Sequence, residues 1–409
     1  MAGAGSYEFR SNFILFTPPD TPMKPAPRPL FSPEHEAFRE QVRRFCEHEI
    51  APHHATWEEA HGVPREVWRQ AGENGLLCCW LPEALGGPGA DLLFDFIVSE
   101  ELGRAGATGP GFPLHSVIVA PYLAAHGTPA LQQALLPAMV AGEKIAAIAM
   151  TEPGTGSDVA AIRTQARREG DHYVLNGQKT FITNGHNADI VVVACKTDPD
   201  QGARGVSLLV VERGMEGFSR GRNLRKIGQH AQDTAELFFD NVRVPASHLL
   251  GEEGQGFRYL MQKLAQERLL VSVQCQARAE AALAWTVDYV KERKAFRQRV
   301  ADFQNTRFKL AAVATDIAAG RAYCDQLIAQ HLAGELDAVG AAAGKLWHSE
   351  LLGRVTDECL QLFGGYGYMH EYPIARAFTD ARIERIYAGT SEIMKEIVAR
   401  DLLDDRKMP

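Results

Sequence analysis

Two stretches carry side chains whose types and spacing could do chemistry. Ala149-Met-Thr-Glu-Pro-Gly-Thr-Gly-Ser-Asp158 follows a β-like run and holds two glycines, two threonines and a serine. Backbone N–H groups in such a loop, with hydroxyls beside them, can hold a polar cofactor or a phosphate. The same composition also makes a solvated turn. In the second stretch Leu260, Leu264, Glu267 and Val271 fall at i, i+4, i+7 and i+11, one helical stripe. A carboxylate on that apolar face is costly to bury, and desolvation would raise its pKa. A raised pKa suits a base that must take a weakly acidic proton near neutral pH. An ion pair inside a helical bundle is the competing use. No metal-ligand spacing stands out: the seven cysteines form no Cys-x-x-Cys pair, and Pro52 follows His48-Glu49 where a zinc-binding helix needs its second histidine.

These segments must be positioned by a chain of 409 residues, enough for two or three domains. Residues 1–30 hold six prolines and no helical or strand period, and read as an extended leader. They lack the apolar core of a secretory signal, and Met23 is a candidate natural start. From Ser32-Pro33, a cap and first-turn pair, residues 31–147 read as helical, with stretches at 64–76, 91–105 and 128–141. Residues 148–250 carry short β-branched and aromatic runs, with Asn176-Gly177 as a hairpin signal between two of them. No helix separates these runs. The expected sheet is therefore antiparallel, and a Rossmann unit is excluded despite Gly154-x-Gly156. Residues 251–409 read as a bundle of long Ala/Leu-rich helices. The fold class is α+β, in the order α, β, α.

Composition narrows the function. With 43 Lys+Arg against 51 Asp+Glu, the net charge of −8 argues against a basic nucleic-acid surface. No run approaches the roughly 18 apolar residues of a membrane span. An odd, sparse set of cysteines fits a reducing compartment.

Further segments complete an ordered set: Asn176-Gly-Gln-Lys-Thr-Phe-Ile-Thr-Asn-Gly185, Arg293-Lys-Ala-Phe296 with Gln304, Gln361-Leu-Phe-Gly-Gly-Tyr-Gly367, and Ile386-Tyr-Ala-Gly-Thr-Ser-Glu-Ile393. With Thr-Glu-Pro-x-x-Gly-Ser-Asp they resemble the acyl-CoA dehydrogenase family over about residues 31–404, the long-chain type most. The resemblance implies a homotetrameric FAD enzyme with an N-terminal helical domain, a central β domain and a C-terminal four-helix bundle. It implies that Met150, Thr151 and Ser157 line the flavin and acyl-CoA site, and that Phe181, Ile182 and Thr183 pack on or bond the flavin ring. Family members often carry tryptophan at the position of Phe181; phenylalanine keeps the aromatic face and lacks the N–H. Arg293, Phe296, Gln304, Gln361, Gly364 and Gly365 would reach FAD from a neighbouring subunit. Arginine suits a pyrophosphate, and glycine lets backbone approach a dinucleotide. Thr390 and Glu392 would contact the flavin's other end.

The family reaction takes a proton from Cα of an acyl-CoA while hydride leaves Cβ for flavin N5, giving a trans-2-enoyl-CoA. Many members place the base in Tyr-Glu-Gly-Thr; here the motif is Tyr387-Ala388-Gly389-Thr390, and Ala388 cannot take a proton. In the long-chain and isovaleryl types the glutamate lies on an earlier helix. Leu264-Ala-Gln-Glu-Arg-Leu-Leu270 resembles that segment and supplies Glu267. The backbone N–H at 388 would still serve the thioester carbonyl, with Tyr387 and Gly389 beside the substrate and Arg268 as a CoA anchor. Electron-transferring flavoprotein is the implied acceptor. The location implied is the mitochondrial matrix in a eukaryote and the cytoplasm in a bacterium. Two rivals accompany this expectation: an oxidase reoxidised by O₂, and a non-catalytic acyl-CoA binder that lost its base at 388.

Overall fold

The computed structural model describes residues 28–404. The expected leader lies outside the described residues up to position 27. Its end is packed: Arg28 forms bidentate pairs with Glu100 and Asp325 at 2.7–3.0 Å.

The first helical block comprises α1 (Pro33–Phe45), α2 (His54–Ala60), α3 (Arg65–Glu73), α4 (Leu92–Arg104), α5 (Ala120–His126) and α6 (Pro129–Val140). Ser32 caps α1 in a reciprocal box with His35, Asp91 caps α4, and Thr128 caps α6. Two π-helical turns, Cys46–Ile50 and Leu114–Val119, interrupt the 3.6-residue period. The second leads directly into α5.

Seven strands follow: β1 (Ala146–Ala149), β2 (Gln165–Glu169), β3 (His172–Thr183), β4 (Ile190–Lys196), β5 (Val206–Glu212), β6 (Phe218–Asn223) and β7 (Thr234–Pro245). They form one sheet in the order β1-β4-β2-β3-β7-β6, with β5 on the other edge of β4. Every residue of β4 is buried. Ile190, Val192 and Ala194 pack toward α5 and α6, whereas Val191, Val193 and Cys195 pack toward β3 and β7. Burial of both faces explains its unbroken apolar run.

The sheet departs from the antiparallel expectation along one edge of β4, where β1 and, at Gln165 opposite Lys196, β2 both pair with it in parallel. β1 pairs with β4 in parallel, Ala146 opposite Ile190, because the intervening β2–β3 hairpin returns the chain to the same direction without a crossover helix. The Asn176-Gly177 hairpin is also corrected. β3 runs straight through both residues, and the turn between β2 and β3 lies at Gly170-Asp171. Gly177 instead sits at a register shift opposite β7 with φ +150°, where a Cβ would lie 2.5 Å from Thr164 Oγ1. Glycine serves a bulge and a close approach here, not a turn.

The C-terminal block holds α7 (Gly256–Glu292), a two-residue hairpin of β8 (Lys294–Ala295) and β9 (Gln298–Arg299), α8 (Gln304–Leu332), α9 (Ala338–Phe363), α10 (Pro373–Ala381) and α11 (Ser391–Leu402). α7 is central. Leu269, Leu270 and Val273 join the core of α1 and α4, while Val271, Cys275 and Leu283 join that of α9. A helix buried on several sides carries a side chain from its middle to the junction of all three blocks.

Candidate active site

The loop after β1 is fixed from below. Lys179, fully buried on β3, donates to Met150 O at 2.9 Å and to Glu152 Oε1 at 2.8 Å. Glu152 also accepts from the backbone N–H groups of Arg163 (2.7 Å) and Thr164 (2.9 Å). Burial alone would raise the Glu152 pKa, but Lys179 and those N–H groups outweigh it and hold the carboxylate below its ordinary value. The acidic residue of the Thr-Glu-Pro segment is thus a brace. Met150, Thr151 and Ser157 are left facing a cavity of 840 Å³.

The same cavity is lined from β3 by Phe181 and Thr183. Phe181 has φ +60° and is 68% exposed, so an aromatic ring is held out of the core by a backbone conformation that costs energy. Ile182 packs into the β core and also borders a second cavity that Phe181 and Thr183 line. Asn184 is buried, and its side chain donates to Ala146 O at 3.2 Å, clamping the end of β3 to β1.

α7 supplies the opposite wall. Glu267 is 4% exposed and lines both this cavity and a second one of 220 Å³, which extends toward α4 and the π-helical turn. Its Oε1 accepts from Tyr122 Oη at 2.7 Å. Burial raises its pKa to about 7, against the lowering pull of Tyr122, Arg268 and Lys263. Arg268 is buried beside it, with Nε unpartnered among the described residues, and burial lowers its pKa against the pull of Glu267.

The loop before α11 closes the site. Ala388 has φ +52° and Gly389 φ +96°. Lys345, fully buried on α9, donates to Gly389 O at 2.7 Å and pins that turn. Tyr387 lines both cavities, but its hydroxyl is committed to Glu384 Oε2 at 2.6 Å, and Glu384 is paired with Arg278. Thr390 lines the cavity and caps α11 through Ile393 N–H; Glu392 faces solvent on the helix's first turn.

The remaining expected residues lie elsewhere. Arg293, Gln361, Gly364 and Gly365 line a 510 Å³ surface groove that shares no residue with the main cavity. Arg293 lies 5.2 Å over the Tyr366 ring, and a Cβ on Gly364 or Gly365 would meet nothing within 4 Å. Phe296 is 91% exposed at φ +48°, and Gln304 opens α8. The chain therefore presents two separate concavities. An outward aromatic ring over a hydroxyl-bearing loop, and an open glycine turn beside an arginine, fit the flavin and the dinucleotide arm of FAD.

Tyr122, Lys179 and Lys345 are absent from the set expected from sequence. Lys179 left a trace, a lysine in the inward phase of a strand. Tyr122 left none, because its partner is 145 residues away.

Comparison with known proteins agrees with this arrangement. The family models for the acyl-CoA dehydrogenase N-terminal, middle and C-terminal domains match residues 32–143, 147–242 and 254–403. The mitochondrial long-chain specific acyl-CoA dehydrogenase of Sus scrofa is 50% identical over 381 residues, covering 93% of this chain and 89% of that protein. An acyl-CoA dehydrogenase from Geobacillus kaustophilus superposes with a TM-score of 0.90 at 52% identity, covering 91% of this chain and 99% of the other. A glutaryl-CoA dehydrogenase from Mycobacterium smegmatis in complex with FADH2 gives 0.85 at 27% identity, over 92% and 96%. The α–β–α order, a 220 Å³ cavity walled by all three blocks and these matches across nearly the whole length make the chain a member of the acyl-CoA dehydrogenase family of flavoprotein oxidoreductases.

Proposed function

We propose that this protein uses FAD to convert a fatty acyl-CoA to its trans-2-enoyl-CoA, with Glu267 as the base that takes the Cα proton. One observation carries the assignment: Glu267 is the carboxylate in the wall common to both cavities, with a pKa near 7, while position 388 offers only a methyl group. FAD held by Met150, Thr151, Ser157, Phe181 and Thr183 would accept the hydrogen lost from Cβ, as a two-electron acceptor.

The chain's own residues do the rest. Glu267 binds the Cα proton at the oxygen not engaged by Tyr122. The backbone N–H of Ala388, unbonded among the described residues, would donate to the thioester carbonyl, and the Lys345 bond to Gly389 keeps that donor in place. Arg268 is the CoA anchor. Arg293, Phe296, Gln304, Gln361, Gly364 and Gly365 would serve FAD of a neighbouring subunit in a homotetramer, and electron-transferring flavoprotein would take the electrons onward. For a eukaryotic source the location is the mitochondrial matrix; for a bacterial one, the cytoplasm.

The test is anaerobic bleaching of bound flavin by acyl-CoA thioesters of about 4 to 18 carbons, with wild type and Glu267→Gln. Removal of a general base should slow bleaching roughly 10²–10⁴-fold. A variant as fast as wild type refutes the assignment, and a wild type that stays yellow with every thioester identifies a non-catalytic binder.

A further inference from the structure

Tyr122 lines neither cavity and is fully buried, yet its hydroxyl reaches Glu267. The approach is built in. The π-helical turn Leu114–Val119 docks on α7 through Gln266 Nε2, which donates to Val117 O at 2.8 Å, and Pro121 stiffens the start of α5 one residue before Tyr122. Adjacent residues of α7, Gln266 and Glu267, are thereby bound to one short segment of the N-terminal block. A carboxylate on three rotatable bonds has several orientations, and this hydroxyl selects one of them.

We propose that Tyr122 is a positioning residue for proton abstraction, holding one oxygen of Glu267 so that the other faces the substrate cavity. The inference rests on Glu267 being the base. The groups facing this carboxylate are Tyr122 from α5, and Arg268 and Lys263 from α7; Tyr387, in the shared cavity wall, has its hydroxyl committed to Glu384. Tyr122 is the one with a hydrogen bond to it. A hydrogen bond to the ionised form opposes the burial that favours the protonated form. Loss of the hydroxyl therefore moves the titration upward, and a stronger donor moves it downward.

On the FAD-loaded enzyme, Tyr122→Phe should leave the KM for hexadecanoyl-CoA unchanged. It should move the acid limb of the bleaching rate up by about one pH unit, a loss of about fivefold at pH 7 that is recovered under alkaline conditions. Site-specific 3-fluorotyrosine at 122 keeps the shape and strengthens the donor, so the limb should move down; this arm stands if the phenylalanine variant fails to fold. Infrared spectroscopy of the protein without substrate should show the same displacements in the carboxyl band that Glu267→Gln removes. A limb and band that remain at their wild-type positions with 3-fluorotyrosine reduce Tyr122 to packing and overturn the inference alone. Bleaching by Glu267→Gln at the wild-type rate overturns the base assignment and this inference together.

Discussion

As the proposed base, Glu267 joins two demands that pull against each other. The Cα proton is weakly acidic, which favours a basic carboxylate, but the carboxylate must also be ionised at working pH. Burial sets its pKa at about 7, so kcat/KM should fall as pH drops through that value, while Glu267→Gln shows no such limb; stopped-flow bleaching between pH 5 and 9 checks this. The same shift has a stability consequence of fixed sign. The folded-state pKa lies above the unfolded value, so the contribution is present at low pH and lost as pH rises through about 7. Glu267→Gln should be more stable than wild type at pH 8 by roughly 3 kcal/mol relative to their difference at pH 4, measured by urea unfolding. The role of Lys179 is different. Lys179→Met would leave the buried Glu152 carboxylate without its cation, held only by the Arg163 and Thr164 N–H groups, a cost of up to about 3–5 kcal/mol, with loosening of the loop that carries Thr151 and Ser157. Urea midpoints and flavin retention would report the two effects.

At the level of elements, each wall of the cavity is held by a neighbour rather than by itself. β1 ends in a loop braced from β3, the turn before α11 is pinned from α9, and the centre of α7 is met by the π-helical turn and α5. Cap positions and helical periods were legible in sequence: Ser32, Thr128 and the 64–76, 91–105 and 128–141 stretches correspond to α1, α6, α3, α4 and α6 as folded. The π-helical turns were not, since one extra residue per turn leaves no signature that a 3.6-residue template detects. Asn176-Gly177 shows a second kind of failure. The dipeptide favours a tight turn locally, but pairing of β3 with β7 on both sides of it outweighs that preference. Gly177→Ala should therefore act as a packing defect against Thr164 and cost about 1–3 kcal/mol by thermal unfolding, with no loss of β content in circular dichroism.

For the whole molecule, the chain keeps its main cavity and the groove of Arg293 apart and leaves large aromatic side chains in water. Phe296 is 91% exposed and Tyr368 is 81% exposed, both near the groove of Arg293 and Gly364 in sequence. Singly exposed rings are ordinary on a surface, whereas a homotetramer, as proposed, would cover them at an interface. Light scattering should give four times the protomer mass of 44.9 kDa. Arg293→Ala should lose FAD on gel filtration while keeping the main cavity, and added FAD should raise the melting temperature with the logarithm of its excess over Kd.

What the sequence alone determined is what depends on residue type and local order. The α–β–α succession, the absence of a base at 388, the presence of a carboxylate at 267 and the family resemblance all lie in linear strings. The tertiary structure alone decided which groups touch. Tyr122 meets Glu267 across 145 residues, Lys345 meets Gly389 across 44, and Arg293 lies outside the cavity that Arg268 lines. The reason is physical: propensity and periodicity act over one or two turns, whereas a buried hydroxyl, amine or carboxylate is satisfied by whatever the packing of distant elements brings within about 3 Å.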